Sequence, residues 1–167
     1  MEDNEVMRFI LIDKIIAVEA GRSIRTVKAL SLAEEYLGDH FPTFPVLPGV
    51  LLLQGLVESA SWLVRTTENF AHSMILLAQA RNVKYKSFLA PGCQIEYAVT
   101  AKDIQEDLSS FFGEGASGGQ AIVEARFSLR HFNLADRRHD LAGIDAEIIE
   151  ALKGRWALLR QGQENRR

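Results

Sequence analysis

Cysteine is almost absent from these 167 residues. Cys93 stands alone, so no internal disulfide can form, and a lone thiol fits a reducing cytoplasm. Proline is nearly as scarce. Of the four prolines, Pro42, Pro45 and Pro48 sit together and only Pro91 lies elsewhere. Charge of one sign is not in excess either: a net charge of −3 provides no global footprint for nucleic acid. Histidine occurs four times, at 40, 72, 131 and 139. Because His72, His131 and His139 lack ligand spacing with any Cys or carboxylate set, spacing along the chain predicts no metal site. The opening Met-Glu-Asp-Asn-Glu has neither the basic nor the apolar region of a secretory signal, so the expected location is cytoplasmic. There is no internal repeat, and the length suits one domain with a substantial core.

What the chain does have is concentrated between His40 and Thr66. His40 to Pro48 carries the clustered prolines, which fix φ and withhold backbone donors, so this part must be extended or turning. From Gly49 to Arg65 there is no proline and the residues are mostly good helix formers, with Pro48 suited to the first helical position. Val50, Leu51, Leu52, Leu53, Leu56, Val57, Ala60, Trp62, Leu63 and Val64 make this helix apolar on nearly every side, as a wrapped or membrane helix would be. Gln54, Glu58, Ser59 and Ser61 in its middle argue against a membrane span, since a central charge costs about 2.5–3.5 kcal/mol on insertion scales. The expected helix is therefore the core of a soluble protein. Gln54 and Glu58 lie one turn apart on the same face.

Around this helix the pattern is of strands. Residues 7–19 and 23–31 read as two strands meeting at Ala20-Gly21, and 32–38 as a helical turn leading to His40. Thr66 to Asn69 is polar and predicts the loop after the helix. Met74 to Lys86 reads as a long strand, ended by Pro91-Gly92. Gln94 to Thr100 and Ile122 to Arg130 alternate apolar and polar residues, with Val123, Ala125, Phe127 and Leu129 inward. Gly113 to Gly119 predicts a flexible hairpin tip. The expected architecture is α+β: an antiparallel sheet wrapped around one long buried helix, over residues 1–132. Residues 133–140 read as a linker. Leu141, Ile144, Ile148, Leu152, Trp156 and Leu159 then predict an additional amphipathic helix, completing a C-terminal extension over 133–167 that packs on the outside of the sheet or on a partner subunit.

His40-Phe-Pro-x-x-Pro-x-x-Pro-Gly49-Val-Leu resembles the signature of the 3-hydroxyacyl-[acyl carrier protein] dehydratases, the FabZ/FabA family. Arg8-Phe-Ile-Leu-Ile-Asp-Lys14 is similar to the family's opening strand, and Lys84-Tyr-Lys-Ser-Phe-Leu-Ala-Pro-Gly92 to the strand and turn after its helix. The resemblance spans about residues 7 to 131. It implies the hotdog fold and dehydration of a 3-hydroxyacyl thioester carried by acyl carrier protein or coenzyme A, without a cofactor. By resemblance, His40 would be the base and the Gly49 N–H would hold the thioester oxygen. The acid would come from the helix of a neighbouring subunit, so the site would require a dimer. Phe41, Phe44, Val50 and Phe88 are the expected walls of an apolar substrate tunnel. Arg81, Lys84 and Lys86 could dock an acidic carrier, although solvated charge on a strand is the stronger reading of them. A trimer of dimers, or a heterodimer with another hotdog subunit, are further assemblies the resemblance allows.

One position departs from the pattern. Fourteen residues after the histidine, where FabZ-type members carry Glu and FabA-type members Asp, this chain has Gln54, and Glu58 stands one turn later where Gln is common. Glutamine has no proton to give at neutral pH, and loss of a general acid typically costs about 10²–10⁴-fold. Three readings stay open: Glu58 serves from one turn along, His40 moves the proton both ways while Gln54 orients the hydroxyl, or the site is silent. Acyl thioesterase activity, with Glu58 activating water, is an alternative on the same fold. A non-catalytic protein that binds acyl groups or completes a heterodimer is another.

Overall fold

In the computed structural model, which describes residues 10–161, the chain is built around α1 (Gly49–Thr67). Six strands wrap it: β1 (Lys14–Glu19), β2 (Ser23–Ala29), β3 (Met74–Tyr85), β4 (Gln94–Ile104), β5 (Leu108–Ser117) and β6 (Gln120–Phe132). All neighbours are antiparallel, in the order β1-β2-β4-β5-β6-β3. The alternation along β6 turns Val123, Ala125, Phe127 and Leu129 onto the helix. Tyr97, Val99 and Phe111 from β4 and β5 join them, against Leu52, Leu56, Ala60 and Leu63 of α1. This is the hotdog arrangement, and among the described residues no helix is long and apolar enough to cross a membrane.

Helix and sheet approach closely because small residues permit it. A Cβ on Gly55 would stand 2.3 Å from the Tyr97 ring, and one on Gly113 would stand 2.9 Å from Leu56, so both positions need glycine. The polar residues of α1 are absorbed locally. Ser59 Oγ donates to Gly55 O (2.7 Å) and lies 2.8 Å from Thr26 Oγ1, while Ser61 Oγ donates to Val57 O (2.8 Å).

Several sequence expectations shift. The segment 66–69 was expected as loop, but Thr66 and Thr67 continue the helix, their hydroxyls donating to Trp62 O (2.7 Å) and Leu63 O (2.6 Å). Pro48 stands at the N-cap, so the helix begins at Gly49, one residue after the expected start. Strand β1 begins only at Lys14, although Leu11 and Ile12 before it are buried; the expected strand before residue 10 lies outside the described residues. Gly113 to Ser117 is not a tip but the inner strand β5, with only Gly118 and Gly119 turning, both at positive φ. Its glycines read as loop residues because the sequence does not show how close α1 and Val123 come to them.

Residues 133–140 are not an open linker. Asn133 caps a 3-10 turn (Leu134–Asp136), and a second turn (His139–Leu141) leads into α2 (Ala142–Leu159). Buried Asp145 locks the junction, accepting from Ser73 Oγ, Leu134 N–H (2.9 Å) and Ala135 N–H (2.9 Å). α2 then packs on the C-terminal half of α1, with Trp156 and Trp62 centroids 5.8 Å apart and Leu159 buried. The predicted stripe is only partly used: Ile144 remains exposed.

Candidate active site

The loop before α1 is rigid by composition. Its buried anchors are Val46 and Leu47, and Leu47 N–H donates to Leu89 O (2.9 Å). Half-buried His40 faces back into this loop, with Nδ1 3.3 Å from Val46 O. A carbonyl can only accept, so in the neutral imidazole Nδ1 carries the proton and Nε2 the lone pair. Phe41, at positive φ, sets its ring edge-on to His40 with centroids 4.6 Å apart. The proline-rich stretch thus delivers an oriented imidazole whose outer nitrogen can accept a proton.

The start of α1 supplies the second element. Leu51 and Leu52 N–H both donate to Pro48 O (2.9 and 3.2 Å). The Gly49 N–H has no acceptor among the described residues, and it stands at the positive end of the helix dipole. Tyr85 of β3 covers this end: a Cβ on Gly49 would lie 3.2 Å from its ring. Sequence reasoning missed Tyr85 as a site residue, although it lies inside the Lys84-Tyr-Lys motif.

Gln54 and Glu58 share a cavity of about 240 Å³ with Val57, Leu76, Leu77 and Arg155 among its walls. Gln54 is exposed. Glu58 Oε2 accepts the Leu11 N–H (3.2 Å). Burial pushes the Glu58 carboxyl up to about 7, against the opposing pull of the Leu11 bond and of Arg155, Arg65 and Lys28. Arg65 is buried too, which lowers its guanidinium to about 10 while Glu68 and Glu58 hold it up. A carboxyl poised near neutrality can both hold and release a proton at working pH. Arg155 was not anticipated, because only the packing of α2 on α1 brings it to Glu58.

His40 is not among the residues lining the Gln54–Glu58 cavity. That cavity borders β3, one of the two edge strands of the sheet, through Ile75, Leu76 and Leu77. Phe41, Phe44, Val50 and Phe88, expected as tunnel walls, are all more than 60% exposed, with Phe44 and Phe88 edge to face at 6.1 Å. Of the basic trio, Lys84 and Lys86 both pair with Glu124 (3.3 and 2.6 Å). Arg81 instead lines an outer-face pocket with Lys102 and Arg126.

An apolar helix wrapped by one antiparallel sheet defines a hotdog protein, here with an oriented histidine and a free amide at the helix start. The chain belongs to the family of FabA-like domains, whose model matches residues 4–126. It is 30% identical over 122 residues to the 3-hydroxyacyl-[acyl-carrier-protein] dehydratase FabZ of Gluconobacter oxydans, covering 72% of each chain. With the FabZ of Aromatoleum aromaticum it shares 27% identity over 141 residues, 77% of this chain and 95% of the other. Among solved structures it resembles the dehydratase heterocomplex ApeI:P from Xenorhabdus doucetiae, with a TM-score of 0.64 and 18% identity over 80% of this chain and 90% of that one.

Proposed function

We propose that the protein dehydrates (3R)-3-hydroxyacyl thioesters to trans-2-enoyl thioesters, with Glu58 as the acid in place of the residue at 54. His40 Nε2 takes the proton from the carbon next to the thioester carbonyl. The oxygen that gains charge rests on the Gly49 N–H, which needs no reorganisation to receive it. The C3–O bond then breaks as the hydroxyl receives the Glu58 proton and leaves as water. The single observation that carries this reading is the Glu58 carboxyl, the one acid on the inner helix and held near neutrality by burial. Since His40 does not line the Glu58 cavity, the two groups act together across a homodimer. A copy pairing along the β3 edge would close over Gln54 and Glu58, and would cover the exposed phenylalanines as tunnel walls. Arg81 and Lys84 on this same strand, with Lys86 directly after it, serve as docking groups for an acidic carrier protein; coenzyme A thioesters are the other substrate form.

A second reading is favoured by Gln54 itself: with no acid at that position, the chain supplies His40 to a site whose acid comes from a different hotdog subunit. The likeness to a protein described as a dehydratase heterocomplex makes this worth testing. The test is turnover of a 3-hydroxyacyl thioester by wild type, His40→Ala, Glu58→Gln and Gln54→Glu, with a simple acyl thioester as hydrolysis control. The proposal expects wild-type dehydration, no hydrolysis of the control, and a loss of about 10²–10⁴-fold in Glu58→Gln. A silent wild type that gains activity in Gln54→Glu transfers the case to the heterodimer reading.

A further inference from the structure

The far end of α1 holds a cluster that this chemistry does not use. Glu68 is the C-cap of the helix, His72 lies one turn beyond it, and His131 comes from β6, where it pairs across the strand with Ile75. Asn69 and Phe70, both at positive φ, turn the chain back so that His72 Nδ1 reaches Glu68 Oε2 at 2.9 Å. His131 Nδ1 stands 3.5 Å from the same oxygen, in ion-pair range but outside hydrogen-bond geometry. One ligand-capable atom from each residue lies within 4.8 Å of the others.

What needs explaining is the polar remainder. His131 is 2% exposed, and neither of its ring nitrogens has a hydrogen-bond partner; nor does the buried Glu68 Oε1. Each such orphan costs about 1–3 kcal/mol, so a proton shared between Glu68 and His72 leaves three costs standing. An ion bound to one nitrogen of His131 would remove one of them. The two separations from Glu68 Oε2 also fit. Metal–ligand bonds of 2.0–2.1 Å in a tetrahedron put neighbouring ligand atoms roughly 3.3 Å apart, between the 2.9 and 3.5 Å found here.

We propose that Glu68, His72 and His131 bind one divalent transition-metal ion of the zinc type, clamping the C-terminal end of α1 to β6. Two imidazoles and a carboxylate form a borderline-soft set suited to Zn²⁺ rather than to Mg²⁺ or Ca²⁺. The ligand side chains are at most 17% exposed, so the ion is enclosed and holds structure. Ser73, next to His72, donates its N–H to Asn133, two residues after His131, and its Oγ to Asp145 of α2, so the same corner is tied to α2. The site is independent of the His40 end, about 28 Å away along the helix axis.

The test uses tag-free, full-length protein titrated with ZnCl₂ by calorimetry after chelation, with metal content by mass spectrometry and melting with and without EDTA. The expected result is one Zn²⁺ per chain and a melting temperature that EDTA lowers. Glu68→Gln and His72→Ala are each expected to weaken binding by more than about 100-fold, beyond what outer-shell changes cost. Cys93→Ser and His139→Ala leave binding unchanged. Should His131→Ala fail to fold, the two half-buried positions still decide. Wild type that binds no more Zn²⁺ than His72→Ala, or binding lost in Cys93→Ser or His139→Ala, overturns the site.

Discussion

Glu58 and Gln54 illustrate how much one turn of helix changes. At position 54 the side chain is exposed; at 58 it is drawn inside, bonded by Leu11 N–H and raised to about 7 by burial. This has a consequence for stability. A carboxyl whose folded value lies above its unfolded one binds more protons when native, so its contribution is full below about 4.5 and lost as pH rises through about 7. Urea midpoints are therefore expected to fall between pH 5 and pH 8. Glu58→Gln, which keeps an acceptor for Leu11 N–H, should flatten that part of the profile; an unchanged slope would mean that Glu58 stays ionised throughout. Activity should show the same group: kcat/KM is expected to decline above about pH 7, as the acid loses its proton. The exchange of Gln54 and Glu58 was legible in the sequence. The carboxyl's poise was not, because Arg155 and Leu11 approach it only in the folded chain.

At the scale of elements, the helix–sheet contact makes the sharpest demand. Ala is normally worth up to about 1 kcal/mol over Gly in a helix, and Gly154→Ala in α2, with open space around it, should gain that much. Gly55→Ala should lose about 1–3 kcal/mol or more instead, because the added carbon would meet the buried Tyr97 ring at 2.3 Å. Equilibrium denaturation of the two variants checks both signs. The attachment of α2 depends on Asp145, whose partners come from β3's entry and the turn after β6. In Asp145→Ala, amides of α2 should exchange faster while β4 to β6 keep their protection; uniform loss across the sheet would show that the extension is part of the core. The buried helix and the alternating strands β4 and β6 could be read from the sequence, since each carries its own period. β5 could not: its glycines signal a loop unless the side chains opposite are known. The folded stretch after Phe132 was also hidden, since its polar residues read as linker until Asp145 gathers their amides.

Over the whole molecule, the parts of the chemistry lie on separate surfaces of one chain. His40 and Gly49 stand at the helix start among exposed phenylalanines, while Glu58 opens toward the β3 edge. The central claim is that two copies join these halves into one site, and mixing two disabled variants tests it most directly. His40→Ala and Glu58→Gln homodimers should each be inactive. After subunit exchange, half of the dimers are mixed and carry one intact site of two, so the mixture should recover roughly a quarter of wild-type dehydratase activity. A mixture as silent as its components, with exchange verified by mass, would contradict a site shared by His40 of one subunit and Glu58 of the other.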